Sequence, residues 1–322
     1  VVVQVVRREA YVAQAESNRT ALVPVTPSRG AILDRNGIVL ASNFSAYTLE
    51  LVPEKIADVP ATIDALAAII PISDADRRRF NRLRQDSKDY EPIALRHRLS
   101  DEEIARLATR RHEFPGVEIN ARLYRRYPFA DLSSHVIGYI GRINPEEKRV
   151  LEEGDDALNY RGTTHIGKLG VEQSYEAQLH GISGSEQLEV TSTGQVVRRL
   201  ASKPAVPGRN IMLSIDIRLQ KLVEDLFGNR RGALVAMDPR DGQVLAMVSK
   251  PTFDGNLFVD GIDQENWAAL NESIDKPLLN RALRGTYPPG STYKPFMALA
   301  ALETGARNPA ATIYDPGYWM YG

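Results

Sequence analysis

The sequence predicts a multidomain protein of the α+β class, in which helices pack on mainly antiparallel strands. The first observation is size, because 322 residues with 43% hydrophobic content can fill two or three cores. The second is a pair of hairpin signals, Asn36-Gly37 and Asp241-Gly242, each between two apolar runs. The third is a set of amphipathic helix patterns between the strands.

Composition excludes several classes of function. The net charge is −1 with 25% charged residues, so no excess charge favours binding of nucleic acid or a polyacidic substrate. The absence of cysteine excludes disulfides, thiolate metal sites and cysteine nucleophiles, and is consistent with an exported protein. No segment reaches the roughly 20 apolar residues that span a bilayer. We predict no metal site and no cofactor, because the histidines lack metal-ligand spacing: His97, His112, His135, His165 and His180.

Residues 1–45 predict short strands around a tight hairpin. The apolar start, 1–6, is either an ordinary strand or helix start or the trimmed end of a membrane segment, and residues 7–18 could continue a helix. A strand over 20–25 precedes the hairpin of residues 29–41, whose turn is Asn36-Gly37. Three charges in so compact a unit predict internal ion pairing, a packing role and not chemistry: Arg29, Asp34 and Arg35.

Residues 46–150 predict a small α+β module without a catalytic constellation, hence an interaction or spacer domain. Strands are expected over 46–53 and 117–127, and helices over 61–70 and 73–83. A third helix begins at a capping box, with Ser100 at N-cap and Glu103 at N3. The arginines of the second helix are expected to form one solvated face: Arg77, Arg78, Arg79, Arg82 and Arg84.

Residues 151–204 predict a short helix and two strands. The helix is bounded by Gly167 and Gly181, and its glycines lack the spacing of a phosphate-binding loop. Strands are expected over 186–191 and 195–200, followed by a linker over 204–208.

The last segment, 205–322, predicts a sheet sandwiched by helices. A helix opened by Asp216 has apolar residues at i, i+3, i+4, i+7 and i+8: Leu219, Leu222, Val223, Leu226 and Phe227. Two runs, 232–237 and 243–248, are apolar nearly throughout, which is typical of a hairpin covered on both faces.

Ser291 and Lys294 are the candidate catalytic residues. They follow the rigid turn Pro288-Pro289-Gly290 and precede residues 296–302, which are apolar on every side and predict a buried helix. Ser291 is expected at the helix N-terminus with Lys294 three residues later, so both side chains share one face. The alternative to a catalytic pair is a purely structural role, with Ser291 as a helix cap and Lys294 as a solvated residue of the first turn. A second Ser-x-x-Lys, at Ser273, has no apolar helix behind it and is interpreted as accidental.

A serine hydroxyl needs a base to become a nucleophile, and Lys294 can serve only when neutral. Lowering a lysine pKa from about 10.4 to near 7 requires about 4 to 5 kcal/mol of environment, from desolvation or a nearby cation. The backbone N–H of Ser291 and a second donor would stabilise the oxyanion. The pattern therefore favours acyl transfer through an acyl-enzyme.

Several segments in the same order resemble class B penicillin-binding proteins, in which Ser-x-x-Lys is a known motif. They are Arg29-Gly30 to Asn36-Gly37, Gly167 to Gly181, Ala236-Met237-Asp238-Pro239 to Gly242, and Tyr287 to Lys294. Residues 127–130, 135–144 and 251–261 are more similar to the elongation-specific than to the division-specific branch. The resemblance covers essentially the whole chain.

This resemblance implies a bitopic protein of the bacterial inner membrane, with a periplasmic pedestal and head before a transpeptidase domain. The implied segments are N-terminal pedestal strands over 1–45, a head over 46–150, a pedestal return and linker over 151–204, and a partial transpeptidase domain over 205–322. Ser291 would attack the D-Ala-D-Ala bond of a peptidoglycan stem peptide, and β-lactams would acylate it. The implied partners are a SEDS-type glycosyltransferase and a rod-shape scaffold protein.

The chain departs from the family pattern in one respect. No Ser-x-Asn and no Lys-Thr/Ser-Gly follows Ser291, so we expect residues 1–322 alone to show little or no transpeptidation and segment 205–322 to bury its sheet incompletely. Two alternatives remain: a non-catalytic interaction scaffold of the elongation machinery, and a β-lactam-sensing domain that is acylated without turnover.

Overall fold

The computed structural model describes residues 20–87, 92–191, 196–318 and 320–321, and the chain forms two compact units, Val1–Ala282 and Leu283–Gly322. The predicted segments 1–6 and 7–18 lie outside the described residues. The strands are β1 (Thr20–Val25), β2 (Ile32–Leu33), β3 (Val39–Leu51), β4 (Ile93–Leu99), β5 (Val117–Arg126), β6 (Ile140–Arg142), β7 (His165–Gly167), β8 (Gly184–Val190), β9 (Val196–Lys203), β10 (Ile211–Met212), β11 (Gly232–Met237) and β12 (Val244–Lys250).

The helices are α1 (Val59–Ala67), α2 (Asp74–Asp86), α3 (Asp101–Thr109), α4 (Ser134–Ile137), α5 (Pro145–Glu153), α6 (Gly170–Ser174), α7 (Glu176–His180), α8 (Ile217–Phe227), α9 (Asn256–Val259), α10 (Gln264–Asn271), α11 (Arg281–Arg284) and α12 (Lys294–Glu303). Short 3-10 helices occur at Pro53–Lys55, Arg111–Glu113 and Gly290–Tyr293. None of the helices within the described ranges is long and apolar enough to cross a membrane.

The predicted α+β class with mainly antiparallel strands is confirmed. The four sheets are β1-β8-β9, β10-β2-β3-β4 with β5 added on β3, β11-β12, and β6-β7. Among the described strands, only the two-residue pair of β2 and β10 is parallel. Both predicted hairpins form, with Gly37 and Gly242 at φ +80° and +79° in their turns.

Strand β3 is the longest of the described strands and was predicted as two separate strands. Its ladder with β5 runs without a break from Ser42 opposite Arg126 to Leu51 opposite Val117. Its first residues also pair with β2, at Ala41 opposite Ile32. The prediction of a gap before residue 46 is therefore wrong, because continuous pairing with β5 keeps the polar residues between the two apolar runs in the strand.

Helices α1, α2 and α3 cover one face of the sheet formed by β3, β4 and β5. The capping box of Ser100 and Glu103 is confirmed, and Ser73 with Asp76 forms a second one at α2. The core beneath these helices is apolar and almost fully buried: Leu49, Leu51, Leu66, Ile70, Phe80 and Leu95. The expected solvated arginine face of α2 is wrong for Arg79, because Arg79 turns inward and donates to Asp76 and to the Leu95 carbonyl.

A buried ion cluster joins the hairpin, β5 and α6. Glu172 is fully buried and accepts from Arg29 Nε at 2.6 Å, Arg125 Nε at 2.7 Å and the Tyr127 hydroxyl at 3.2 Å. Arg29 also donates to Glu176 at 2.7 Å. Burial alone would lower the pKa of Arg29, but the two carboxylates raise it above its ordinary value.

The prediction of ion pairing inside the hairpin is wrong. Arg29 pairs with carboxylates more than 140 positions away in sequence. Asp34 is fully buried, and its oxygens accept backbone N–H groups of Asn36, Ile38 and Ile217. Asp34 thus links the hairpin to the first residue of α8, a packing role of the kind the sequence predicts.

Helix α8 packs on β12. The Gln220 side-chain amide donates to the Met247 carbonyl and accepts from its N–H, both at 2.9 Å. The interior of β12 is buried at Ala246 and Val248, whereas Val235 and Met237 of β11 are 47% and 56% exposed. Burial of the hairpin on both faces is therefore wrong, and the expected incomplete burial of this sheet is confirmed, because no described strand pairs with the second edge of β11.

Candidate active site

Ser291 and Lys294 lie in consecutive turns at the start of α12. Ser291 belongs to the 3-10 helix Gly290–Tyr293, and its carbonyl accepts the backbone N–H of Lys294. Three residues per 3-10 turn place positions i and i+3 on the same side, so the predicted shared face is present. Ser291 is thus in the turn that leads into α12 rather than in the α-helix itself.

Local sequence explains this turn. Pro289 has φ −66° and ψ −24°, and Gly290 follows at φ +55°, a left-handed conformation that favours glycine. The Thr292 backbone N–H and hydroxyl both donate to the Pro289 carbonyl. Pro295 is in the first turn of α12, where its missing N–H costs nothing.

The hydroxyl and the amine share a face without contacting each other. Within the described part of the chain, neither Ser291 Oγ nor Lys294 Nζ has a hydrogen-bond partner, and both residues are exposed. A nucleophile and its base need to come within about 2.6–3.2 Å, although such bonds are often longer without substrate. The turn therefore supplies the spacing of the pair but not its activation.

The expectation that α12 is buried is wrong for this chain. Four of its large apolar side chains are 45–67% exposed: Phe296, Met297, Leu299 and Leu302. Residues 304–318 and 320–321, which follow α12 in the described part of the chain, form no helix or strand that could pack on it. An all-apolar helix that is exposed to water is an incomplete core, and Lys294 in its first turn is exposed as well.

The second Ser-x-x-Lys pattern forms only a turn. The Ser273 hydroxyl accepts the Asp275 N–H at 3.2 Å, and its carbonyl accepts the Lys276 N–H at 3.0 Å. Lys276 has φ +44°, which ends any helical path. The geometry agrees with its interpretation as accidental.

Segment 127–139 is hydrogen-bonded to two later parts of the first unit, α8 and α9, through side chains that the sequence analysis did not identify. Asn256 pairs with both backbone groups of Tyr127, at 2.9 and 3.0 Å. Glu224 accepts the Ser133 N–H at 3.2 Å and the Gln220 amide at 3.0 Å. Burial raises the pKa of Glu224, opposed by these hydrogen bonds and by the Lys250 charge. One feature of the sequence could have indicated these contacts: Gln220 and Glu224 are two polar residues four positions apart on the amphipathic helix α8.

Residues 275–281, upstream of Ser291 in sequence, are also tied to the body of the first unit. The Ser249 hydroxyl donates to the Leu279 carbonyl at 3.1 Å and accepts the Arg281 N–H at 2.9 Å. Arg281 donates in turn to the carbonyls of Asp275 and Lys276. In the described residues, no three His, Asp or Glu side chains lie close enough to hold a metal ion.

Comparison with family models gives two consecutive matches. Residues 24–213 match the penicillin-binding protein dimerisation domain, and residues 232–322 match the penicillin-binding protein transpeptidase domain. Together these matches include both Ser291 and Lys294 and nearly all the described elements.

Curated relatives match along almost the whole chain. The peptidoglycan D,D-transpeptidase MrdA of Escherichia coli K12 is 42% identical over 317 residues, 98% of this chain and 50% of the relative. MrdA of Haemophilus influenzae is 41% identical over the same length and 49% of the relative. The chain thus spans about half the length of the curated relatives it matches.

Two solved structures are similar. The complex between penicillin-binding protein PBP2 and MreC from Helicobacter pylori matches with a TM-score of 0.79 and 28% identity, covering 94% of this chain and 56% of that one. Pseudomonas aeruginosa PBP2 in complex with WCK 5153 matches with a TM-score of 0.59 and 35% identity, covering 94% of this chain and 46% of that one.

Proposed function

Because the chain belongs to the penicillin-binding proteins that carry a dimerisation domain before a transpeptidase domain, we propose that Ser291 is the nucleophile of a peptidoglycan D,D-transpeptidase. The observation that carries the proposal is the turn at residues 290–294. It places a serine and a lysine on one face at the head of an apolar helix, inside the matched transpeptidase region.

The proposed chemistry has two acyl transfers. Ser291 Oγ attacks the carbonyl carbon of the D-Ala-D-Ala bond while Lys294 accepts its proton. The C–N bond breaks, the proton passes to the leaving amine, and D-alanine departs from a Ser291 ester. An amine of a neighbouring stem peptide then attacks the ester and gives a proton to Lys294. The ester C–O bond breaks, and Lys294 returns this proton to the Ser291 oxygen. The Ser291 N–H, which has no described acceptor, is one oxyanion donor.

Activation requires that α12 become buried. We propose that polypeptide corresponding to the remaining half of the curated relatives covers α12 and pairs with the exposed edge of β11. Covering Phe296 and Leu299 would remove water from around Lys294 and favour its neutral form. This is why residues 1–322 alone are expected to show little or no turnover of a D-Ala-D-Ala peptide.

The remaining assignments follow from the same relationship and are proposals too. Residues 1–45 and 151–204 would form a pedestal, 46–150 a head, and 205–322 part of the transpeptidase domain. The relative from H. pylori was solved in complex with MreC, so the pedestal or head is the proposed contact for a rod-shape scaffold protein. A SEDS-type glycosyltransferase is the proposed membrane partner, and the periplasmic side of the inner membrane the proposed location.

Labelling with a fluorescent penicillin tests the nucleophile in the natural full-length protein. Wild type and the matched control Ser273→Ala should be labelled, and Ser291→Ala should not. Lys294→Ala should slow acylation by orders of magnitude while leaving the fold unchanged by circular dichroism.

Two outcomes would favour the alternatives. An unlabelled wild-type protein that still binds its scaffold would support a non-catalytic role. A labelled protein that never transfers the acyl group of a stem-peptide substrate to an amine would support β-lactam sensing.

A further inference from the structure

A cluster of cationic side chains lies where α2 and β4 meet the β6–β7 ribbon and the residue that follows α9. Its charged members are Arg79, Arg82, Arg98, Arg142 and Asp260. The arginines come from α2, β4 and β6, whereas Asp260 comes from the region that matches the transpeptidase model. The cluster therefore joins parts of the chain that are distant in sequence.

Two of the arginines are neutralised by carboxylates. Arg98 donates to Asp260 at 2.8 Å, and its guanidinium lies 5.4 Å from the ring centres of both Phe44 and Tyr124. Arg79 donates to Asp76 at 2.5 Å. After these pairs are formed, no carboxylate of the described cluster is left for the remaining cations.

In the part of the chain that the structure describes, Arg82 and Arg142 have no carboxylate partner, and of the two only Arg142 is partly buried. Its guanidinium is half-buried and makes no hydrogen bond or ion pair within the described ranges. Burial and the positive charges of Arg79 and Arg82 lower the pKa of Arg142, and Asp260 opposes this only in part. A half-buried arginine surrounded by like charge is costly unless an anion accompanies it.

Two further nitrogens in the same neighbourhood lack acceptors. Arg79 Nε and His97 Nε2 are both buried and have no hydrogen-bond partner in the described residues. His97 Nδ1 contacts the Tyr124 hydroxyl at 2.8 Å. Burial and the charges of Arg79 and Arg142 lower the pKa of His97 to about 3, so its ring is neutral at pH 7. Buried polar atoms without partners point to a bound water or ion.

We propose that this cluster binds one small oxyanion, a carboxylate or a phosphate group, with Arg142 as its principal ligand. The planar guanidinium offers two parallel N–H donors that match two oxygens of such a group. Arg79 Nε and His97 Nε2 would contact the remaining oxygens. The ligand would neutralise the excess charge and stabilise the junction between β4, the β6–β7 ribbon and α9. The site uses only residues of the unit that precedes Leu283, and it does not depend on the proposed acyl transfer.

The test compares anions at constant ionic strength. The full chain is titrated with sodium phosphate, sodium acetate or sodium chloride, followed by calorimetry and by the thermal unfolding midpoint. Phosphate, acetate or both should bind saturably and raise the midpoint relative to chloride. A response to phosphate alone identifies a phosphate site, and a response to both identifies a site that also accepts carboxylates.

Arg142→Gln and Arg84→Gln form a matched pair of variants. Arg84 is exposed on α2, about 200° around the helix from Arg82, so its loss changes net charge without touching the cluster. Arg142→Gln should weaken anion binding roughly tenfold or more and raise the midpoint in chloride, because it removes an uncompensated charge. Arg84→Gln should bind like wild type. A merely structural Arg142 would instead lower the midpoint equally in every salt.

Two results would overturn the proposal. One is a wild-type chain with no saturable response to phosphate or acetate beyond chloride. The other is an Arg142→Gln chain that binds as tightly as wild type. Should Arg142→Gln not fold, the arginine Nε–H spectrum of wild type decides: one side-chain resonance should shift saturably with the anion, and no shift at all would refute the site.

Discussion

Replacing Glu172 by glutamine tests the electrostatic centre of the first unit. Glu172 is fully buried and accepts three hydrogen bonds, two of them from the guanidinium groups of Arg29 and Arg125. A glutamine keeps the volume but removes the charge, and its one oxygen cannot face both arginines, so one Nε–H must face an amide NH₂. The side chain of Arg125 is only 1% exposed, so its charge cannot be solvated by water.

The expected loss is about 3–5 kcal/mol of unfolding free energy, the cost of breaking a buried ion pair from one side. Glu176→Gln is the matched control. Glu176 is 19% exposed, its ion pair in the described residues is with Arg29, which retains Glu172, and the Gly167 N–H that it also accepts can still bond to the glutamine oxygen. We expect a loss of about 1 kcal/mol there. Hydrogen exchange of the paired β3 and β5 amides measures both values. The reasoning is refuted by a Glu172→Gln loss below about 1 kcal/mol or by equal losses in the two variants.

Three further predictions concern strain, pH and exposed surface. Gly138→Ala should lower the unfolding free energy by more than about 3 kcal/mol, because its Cβ would lie 1.7 Å from the Leu169 carbonyl oxygen. Gly37→Ala is the control: Gly37 has a similar positive φ but open space around it, so the loss should be about 1 kcal/mol. Equal losses in urea unfolding would contradict this reasoning. Burial lowers the pKa of His97 to about 3 and that of His135 to about 4, so the unfolded chain binds protons at a higher pH than the folded chain does. The stability should therefore be fully present above about pH 6.5 and fall as the pH drops toward 4. A urea midpoint that stays constant over this pH range would contradict the prediction. Phe296→Glu should reduce both the binding of a hydrophobic dye and the self-association of residues 1–322, because Phe296 is 67% exposed. Light scattering unchanged from wild type would show that α12 does not mediate self-association.

Local signals in the sequence predicted local structure. Asn36-Gly37 and the Ser100–Glu103 capping box act within four residues, so the turn and the helix start appear where they were expected. Helices α5 and α10 were missed although their starts carry comparable signals, with Asn144 and Asp263 as side-chain caps. The missed helices were therefore detectable from the sequence.

Long-range structure was not predictable from the same patterns. The partner of Arg29 lies 143 positions away, and nothing near Arg29 identifies it. The continuity of β3 depends on the ladder with β5. The exposure of α12 depends on which polypeptide covers it, whereas apolar composition only states that something should. For the candidate site, the sequence supplied Ser291, Lys294 and their shared face, and the structure added the 3-10 turn that carries Ser291.

The most direct test of the central claim is peptide mapping by mass spectrometry of the natural full-length protein after reaction with penicillin. The account predicts one covalent adduct, on the peptide that contains Ser291, and none after Ser291→Ala. An adduct on any other residue of a folded protein, or a folded protein without an adduct, would contradict it.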